Sequence, residues 1–203
     1  MPKYKLIYFN ARGFGEMARM VFAQAGVEYE DIRFERDEWP KYKSNTPFGQ
    51  APVLEVDGVQ IADSAAIARY LAREFGLAGK TRLEEAQVDM FAGAAYDLAK
   101  PMIEIFHAEG EKKAELVKKF QEETAPKFLG KFESTIAENK SGFLVGDGVT
   151  WADFTLMHFM DWIWGQLPED FATKYWHVME HGKRVQSLPK IAAWIAKRPV
   201  TST

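Results

Sequence analysis

The chain has 203 residues, of which 47% are hydrophobic and 27% charged, which is the composition of a globular protein with a substantial core. Its formal net charge of −3 offers no basic field for nucleic acid, and no run reaches the roughly 18 apolar residues of a membrane span. There is no cysteine, which excludes disulfides, thiolate metal sites and a cysteine nucleophile, so a reacting thiol must come from a substrate.

The N-terminal third carries alternating strand and helix signals. Asp57-Gly58 lies between two apolar runs and is a strong hairpin signal, because both residues tolerate positive φ. Ser64 is expected to cap a helix that Gly76 ends. The predicted elements are a strand over 3–8, a helix over 15–25, a strand over 28–34, strands over 53–56 and 59–61, and a helix over 64–75.

Strand patterns stop after this part of the chain, and the remainder reads as all-helical. Thr150 and Asp153 are spaced as a capping box, which marks the start of one helix. We expect an α/β domain over 1–78, a linker over 79–82 and an all-α domain over 83–203. Its predicted helices span about 82–108, 112–138, 150–165, 172–182 and 188–197.

Two sequence patterns have a chemical interpretation that we reject. Residues 13–18 fit the G-x-G-x-x-A pattern of a dinucleotide site, but the α/β part is too short for two mononucleotide-binding halves. His177 and His181 have no cysteine or carboxylate co-ligands at metal spacing, so no metal is expected. Residues 1–9 lack the apolar core of a signal peptide, which predicts a cytoplasmic protein without nucleic-acid or membrane partners.

Three positions have both an ordinary and a chemical interpretation. Tyr8 ends a strand and opens into a polar loop, so it is either a packing residue or an exposed phenol. Pro52 directly precedes a strand; most such bonds are trans, whereas a cis bond would turn the backbone of Ala51 towards an extended peptide. Asp63 and Ser64 open a helix, where they either cap it or bind the ammonium and carboxylate groups of a ligand.

Four segments together resemble the cytosolic glutathione transferases, most closely the sigma class and its nematode members. The order and spacing of the segments make the resemblance specific, and it covers essentially the whole chain. It implies a thioredoxin-like βαβ-ββα domain followed by a helical bundle, with glutathione as co-substrate, no metal, and a homodimer. The segments are KLIYFNARG at 5–13, PFGQAPVLEVDG at 47–58, SAAIARYLA at 64–72, and GFLVGD at 142–147 with TWAD at 150–153.

The resemblance also implies that the Ala51-Pro52 bond is cis, and it implies roles for individual residues. Tyr8 is expected to activate the glutathione thiol, and Asp97 to reach the partner subunit's site. The expected glutathione-binding residues are Tyr8, Trp39, Lys43, Gln50, Ala51, Pro52, Asp63 and Ser64. Our candidates for the hydrophobic substrate site are Phe9, Phe14, Tyr96, Ala99 and Ile103.

Two positions depart from the family pattern. Residue 63 is often Gln in this class, whereas here it is Asp63. Residue 14 is often Arg in vertebrate members that isomerise prostaglandin H2, so Phe14 counts against that activity as the main one. The expected function is conjugation of glutathione to small hydrophobic electrophiles. The alternatives are a carrier of haem or another hydrophobic ligand, a glutathione-dependent prostaglandin isomerase, and a structural relative such as a lens crystallin.

Overall fold

The computed structural model describes residues 2–201 of the chain. Short 3₁₀ turns at Gly13–Gly15, Arg36–Glu38 and Trp164–Gln166 and a π-helical turn at Phe120–Thr124 join or extend the main elements. In chain order, the strands and α-helices are β1 (Tyr4–Phe9), α1 (Glu16–Ala25), β2 (Glu30–Phe34), α2 (Trp39–Lys43), β3 (Val53–Val56), β4 (Val59–Ala62), α3 (Ser64–Glu74), α4 (Arg82–His107), α5 (Gly110–Lys119), α6 (Ala125–Glu138), α7 (Trp151–Ile163), α8 (Asp170–Lys174), α9 (Trp176–Gln186) and α10 (Pro189–Lys197).

The chain divides into two compact units. Unit 1 combines the first 77 residues with the segment after Ser187, and unit 2 is Ala78–Ser187. Unit 1 is a thioredoxin-like sheet domain and unit 2 is all-helical, so the predicted fold class is confirmed. The division differs from the expected one at the C-terminus, because α10, which we assigned to the helical domain, packs against α1 in unit 1.

The sheet of unit 1 has the strand order β2-β1-β3-β4. β1 runs parallel to β2 and antiparallel to β3, and β3 runs antiparallel to β4. The register places Ile7 opposite Val53, and Val53 opposite Ala62. The predicted hairpin is confirmed, with Asp57 and Gly58 at φ values of 49° and 88° between β3 and β4.

The core of unit 1 follows the alternation of β1. Tyr4, Leu6 and Tyr8 are buried, while the residues between them are half-buried. Helices α1 and α3 pack on each other, and the ring of Tyr4 contacts Phe22 of α1 with centroids 5.3 Å apart. Phe34 stacks on α2, a short helix that the sequence analysis treated as loop.

Unit 2 is built around α7, which packs against α4 and α9. The predicted capping box is confirmed: the Asp153 carboxylate accepts from the Thr150 backbone N–H at 2.7 Å, and from its hydroxyl at 2.9 Å. Two of the predicted helices are not continuous α-helices. The one predicted over 112–138 is interrupted by the π-helical turn, and the one predicted over 172–182 is two helices, α8 and α9. Within residues 2–201, no helix is both long and apolar enough to cross a membrane.

Candidate functional site

The strand register brings three separate parts of unit 1 to one edge of the sheet. Tyr8, Pro52 and Asp63 each lie one residue beyond the paired positions Ile7, Val53 and Ala62, and all three continue in the same direction. Adjacent strands lie about 4.8 Å apart, so the backbone at Tyr8 and at Asp63 is separated by about 10 Å across β3. We call this side of the sheet the Tyr8 edge.

Tyr8 is held by the loop that follows β1. Its hydroxyl oxygen accepts a hydrogen bond from the Phe14 backbone N–H at 3.0 Å. Its ring lies directly against Gly13 and Gly15, where a Cβ atom would come within 2.4 Å of the hydroxyl and 2.7 Å of the ring, respectively. A hydroxyl that accepts one bond still has its own hydrogen to donate. The phenol is therefore fixed in place and can act as a donor.

The protonation state of Tyr8 suits a donor. Burial raises its pKa above the usual 10.0, and this outweighs the opposing effects of the Phe14 N–H and of the positive charges on Arg19 and Arg36. The Tyr8 side chain is 7% exposed, so the desolvation of a phenolate would be substantial. Tyr8 is accordingly neutral at physiological pH and keeps its hydrogen.

Trp39 and Lys43 both lie on α2, the helix that the sequence analysis missed. A capping box between Glu35 and Glu38 starts the 3₁₀ turn that leads into it. The indole of Trp39 stacks on Phe34 with centroids 5.7 Å apart, which anchors the helix to the sheet. Lys43 is exposed at the end of α2. The helix thus holds the predicted pair close to the strand that neighbours Tyr8.

The segment 50–52 enters the Tyr8 edge just before β3. The Ala51-Pro52 peptide bond is cis, as the family resemblance implied. Gln50 is exposed and Ala51 is half-buried, whereas Pro52 is buried at the start of the strand. The predicted contact residues therefore differ in accessibility, and Gln50 is the most open of the three.

Asp63 and Ser64 lie at the N-terminus of α3, but their roles in the helix differ from the prediction. Asp63 is the N-cap residue, and its carboxylate accepts from the Ala66 backbone N–H at 2.9 Å. The expectation that Ser64 caps the helix is wrong, because Ser64 is already its first residue and is buried. Asp63 has a φ of 76°, which is uncommon for a residue with a side chain and often marks functional positions.

The remaining predicted residues divide between the two units. Phe9 and Phe14 are half-buried in unit 1. On α4 of unit 2, Asp97 is exposed and Ala99 is buried.

Tyr96 and Ile103 also lie on α4 of unit 2. The ring of Tyr96 meets Phe159 edge-on with centroids 4.9 Å apart. Ile103 is 47% exposed and lines a groove of about 760 Å³ that Leu116 and Phe120 also line. Tyr96 and Ala99 do not line that groove.

Two charged residues near Tyr8 were not among the predicted site residues. Glu16 and Arg19 are 1% and 0% exposed and are bonded to each other at 3.3 Å. Their pattern in the sequence is that of ordinary charges in the first turns of a helix. A weak signal was available, because Arg19 lies three residues before Phe22 and therefore on the same side of the predicted helix.

The structure defines a thioredoxin-like domain with a tyrosine hydroxyl at one edge of its sheet, followed in the sequence by an all-helical domain. Family models described as the N-terminal and the C-terminal domain of glutathione S-transferase match residues 4–73 and 96–198. The chain belongs to the glutathione S-transferase family.

Relatives resemble the chain over its full length. Glutathione S-transferase 1 of Ascaris suum is 44% identical over 99% of both chains, and hematopoietic prostaglandin D synthase of Gallus gallus is 42% identical over 100% of both. A solved Nu-class GST from Haemonchus contortus has a TM-score of 0.91, with 42% identity over 100% of both chains. A Necator americanus structure, described as monomeric Na-GST-3, has a TM-score of 0.89, with 40% identity over 99% of this chain and 100% of that one.

Proposed function

We propose that this protein is a glutathione transferase in which Tyr8 activates the thiol of bound glutathione for attack on small hydrophobic electrophiles. The observation that carries the proposal is the Tyr8 hydroxyl, which accepts from the Phe14 N–H at 3.0 Å and retains its own hydrogen. Since the chain lacks cysteine, the nucleophilic sulfur belongs to the substrate. The family to which the chain belongs supports the same chemistry.

The hydrogen bond accounts for activation in energetic terms. A cysteine thiol has a pKa of about 8.5, so only about 3% is thiolate at neutral pH. A hydrogen bond to a charged group contributes about 1.5–3 kcal/mol, and a pKa unit corresponds to about 1.36 kcal/mol. The Tyr8 bond would therefore lower the thiol pKa by about one to two units, giving about 25–75% thiolate at neutral pH.

The dimensions of the Tyr8 edge support an extended tripeptide as the ligand. From the cysteine thiol to the γ-glutamyl head group, the extended peptide spans roughly 10 Å, because the γ-linkage adds two methylene groups to one residue of extended chain; this matches the two strand spacings between Tyr8 and Asp63. In this arrangement the thiol would lie at Tyr8. The γ-glutamyl ammonium would meet the Asp63 carboxylate, and the γ-glutamyl carboxylate would meet the N-terminus of α3 with Ser64. Gln50 and Ala51 would bind the middle of the peptide.

We assign the two ends of glutathione to opposite sides of Tyr8. Trp39 and Lys43 would bind the glycyl carboxylate, Lys43 by its charge and Trp39 by its indole N–H. Pro52 supports the bend that presents Ala51. Asp97, which is exposed on α4, would act on the site of a partner subunit.

The electrophile is proposed to lie beside the sulfur, against Phe9 and Phe14 of unit 1, which are half-buried. These side chains are apolar, which favours hydrophobic electrophiles. Phe14 cannot donate hydrogen bonds or carry charge, so conjugation is proposed as the main activity rather than the isomerisation named for the prostaglandin synthase relatives.

We further propose that the protein works as a cytoplasmic homodimer. Phe48 is 78% exposed on unit 1, and aromatic side chains are enriched in protein interfaces, which supports a contact with a second copy. The relative described as monomeric indicates that assembly differs within the family, so this point is tested separately below.

The function is tested by Tyr8→Phe, which removes the donor and keeps the ring. Glutathione binding should persist, while kcat/KM with an aryl halide at neutral pH should fall by about eightfold to twenty-five-fold, following the thiolate fraction. Tyr4→Phe is the matched control, because Tyr4 lies on the same face of β1 as Tyr8 but at the opposite end of the strand. Undiminished turnover in Tyr8→Phe would show that Tyr8 is not the activator.

A further inference from the structure

The buried carboxylate of Glu16 links α1 to the segment around α10, both within unit 1. Glu16 is 1% exposed, and its Oε1 atom accepts from Trp194 Nε1 at 2.9 Å and from Arg198 Nη1 at 2.8 Å. Its Oε2 atom lies 3.3 Å from Arg19 Nη1. A buried charge is tolerated only when it is paired and hydrogen-bonded, so the position of Glu16 depends on all three donors.

Arg19 continues this network to the loop after β1. Its Nη1 atom donates to the Ala11 carbonyl at 2.6 Å and lies 3.5 Å from the Arg12 carbonyl, while its Nε atom bonds the Asp31 carboxylate at 3.2 Å. The guanidinium carbon lies 5.8 Å from the centre of the Tyr8 ring. One fully buried side chain therefore holds the loop backbone and lies beside the phenol.

The loop that Arg19 holds is the loop that fixes the Tyr8 hydroxyl. Two residues after the second of those carbonyls, the Phe14 N–H donates to the phenol oxygen. Gly13 and Gly15 form the wall against the ring. Because these contacts are closely packed, we expect a shift of Arg19 to move the loop and so to change the direction of the Tyr8 hydroxyl.

We propose that Arg198 is a positioning residue for Tyr8, acting from the end of α10 through Glu16 and Arg19 on the loop over 11–15. The proposal rests on the proposed function, because it assigns to the C-terminal helix a part in thiol activation. Arg198 does not touch the phenol, and Trp194 supports the same carboxylate as a second donor. The effect is expected on the chemistry of the thiol and not only on the stability of the fold.

The test titrates the ultraviolet absorbance of the thiolate in the glutathione complex of Arg198→Met. We expect the thiol pKa to rise by about half a unit, which corresponds to about threefold less thiolate at pH values below that pKa. kcat with an aryl halide should fall by the same factor, while KM for glutathione changes less. Arg198→Lys, which keeps the charge, should recover part of the loss.

The chain offers a matched control on the same helix. Lys190 Nζ donates to the Gln24 carbonyl at 3.0 Å and so also ties α10 to α1, but it does not contact Glu16. Lys190→Met should lower Tm without changing the thiol pKa. Trp194→Phe, which removes one donor to Glu16 and keeps an aromatic ring, provides a second variant if Arg198→Met does not fold.

Three results decide the proposal. A raised thiol pKa in Arg198→Met or Trp194→Phe, with Lys190→Met unchanged, supports it. If Tyr8→Phe raises the thiol pKa but both Glu16-donor variants leave it at the wild-type value, α10 only stabilises the fold and the proposal is wrong. If Tyr8→Phe itself has no effect on the thiol pKa, the proposed function fails, and the positioning role falls with it.

Discussion

Gly15→Ala should move the phenol of Tyr8 without adding backbone strain. Gly15 has φ −79° and ψ −18°, which alanine adopts freely, but its Cβ would lie 2.7 Å from Tyr8 Cδ1 and 2.9 Å from Cγ. Carbon atoms normally approach to about 3.5–4.0 Å, so the ring must move by about 1 Å. Overpacking costs about 1–3 kcal/mol, and the lower entropy of the unfolded chain offsets about 0.4–1 kcal/mol of it.

The expected losses of activity and of stability are both limited. A misplacement of 1 Å can lower a rate by about 10²-fold, but the Tyr8 hydroxyl is expected to contribute only about eightfold to twenty-five-fold, which limits the effect. We therefore expect kcat/KM to fall by about tenfold, with a net destabilisation of no more than about 2.5 kcal/mol.

Steady-state kinetics of the single and double variants give the decisive comparison. If Gly15→Ala acts through the phenol, it should have little further effect in the Tyr8→Phe background, because coupled changes are not additive. Gly182→Ala is the control, since its added Cβ meets nothing within 4 Å; it should stabilise α9 by about 0.5–1 kcal/mol and leave turnover unchanged. Full additivity of Gly15→Ala and Tyr8→Phe would refute the reasoning.

Three other predictions concern stability, ionisation and assembly. Asp153→Ala removes the acceptor for the Thr150 backbone N–H and for His181 Nε2, which lies at 2.8 Å. It should lower the free energy of unfolding by about 3–5 kcal/mol and Tm by about 10 °C or more. The control, Asp147→Ala on the nearby surface, should change Tm little. Because burial raises the pKa of Tyr8, the stability that the buried neutral phenol contributes is complete below pH 10 and is lost at higher pH. Urea denaturation should therefore show that, above about pH 10, the wild type loses more stability than Tyr8→Phe. Phe48→Ser should sediment as a smaller species than wild type; an unchanged dimer would remove Phe48 from the interface.

Local signals in the sequence account for most of unit 1 and for the start of α7 in unit 2. Asp57-Gly58 predicts the hairpin because few residue pairs tolerate two consecutive positive φ values. Thr150 and Asp153 predict the start of α7 because their side chains satisfy backbone groups only a few residues away. Such features depend on neighbours in the sequence, and the sequence therefore contains them.

The features that the sequence did not reveal depend on distant partners or on irregular geometry. Glu16 and Arg198 are 182 positions apart, and nothing in the periodicity of either helix indicates that they meet. Helix α2 is too short for a periodic pattern, and its start depends on Pro40 and a preceding turn. Asp63 was expected either to cap α3 or to bind a ligand; it is the cap, with a φ of 76° that no pattern in the sequence indicates.

The distance between the Tyr8 hydroxyl oxygen and the glutathione sulfur, measured in a crystal of the binary complex, tests the central claim most directly. The account predicts a separation of about 3.5 Å or less, with the hydroxyl still accepting from the Phe14 N–H. A sulfur well beyond donor range, with no water between the two atoms, would contradict it.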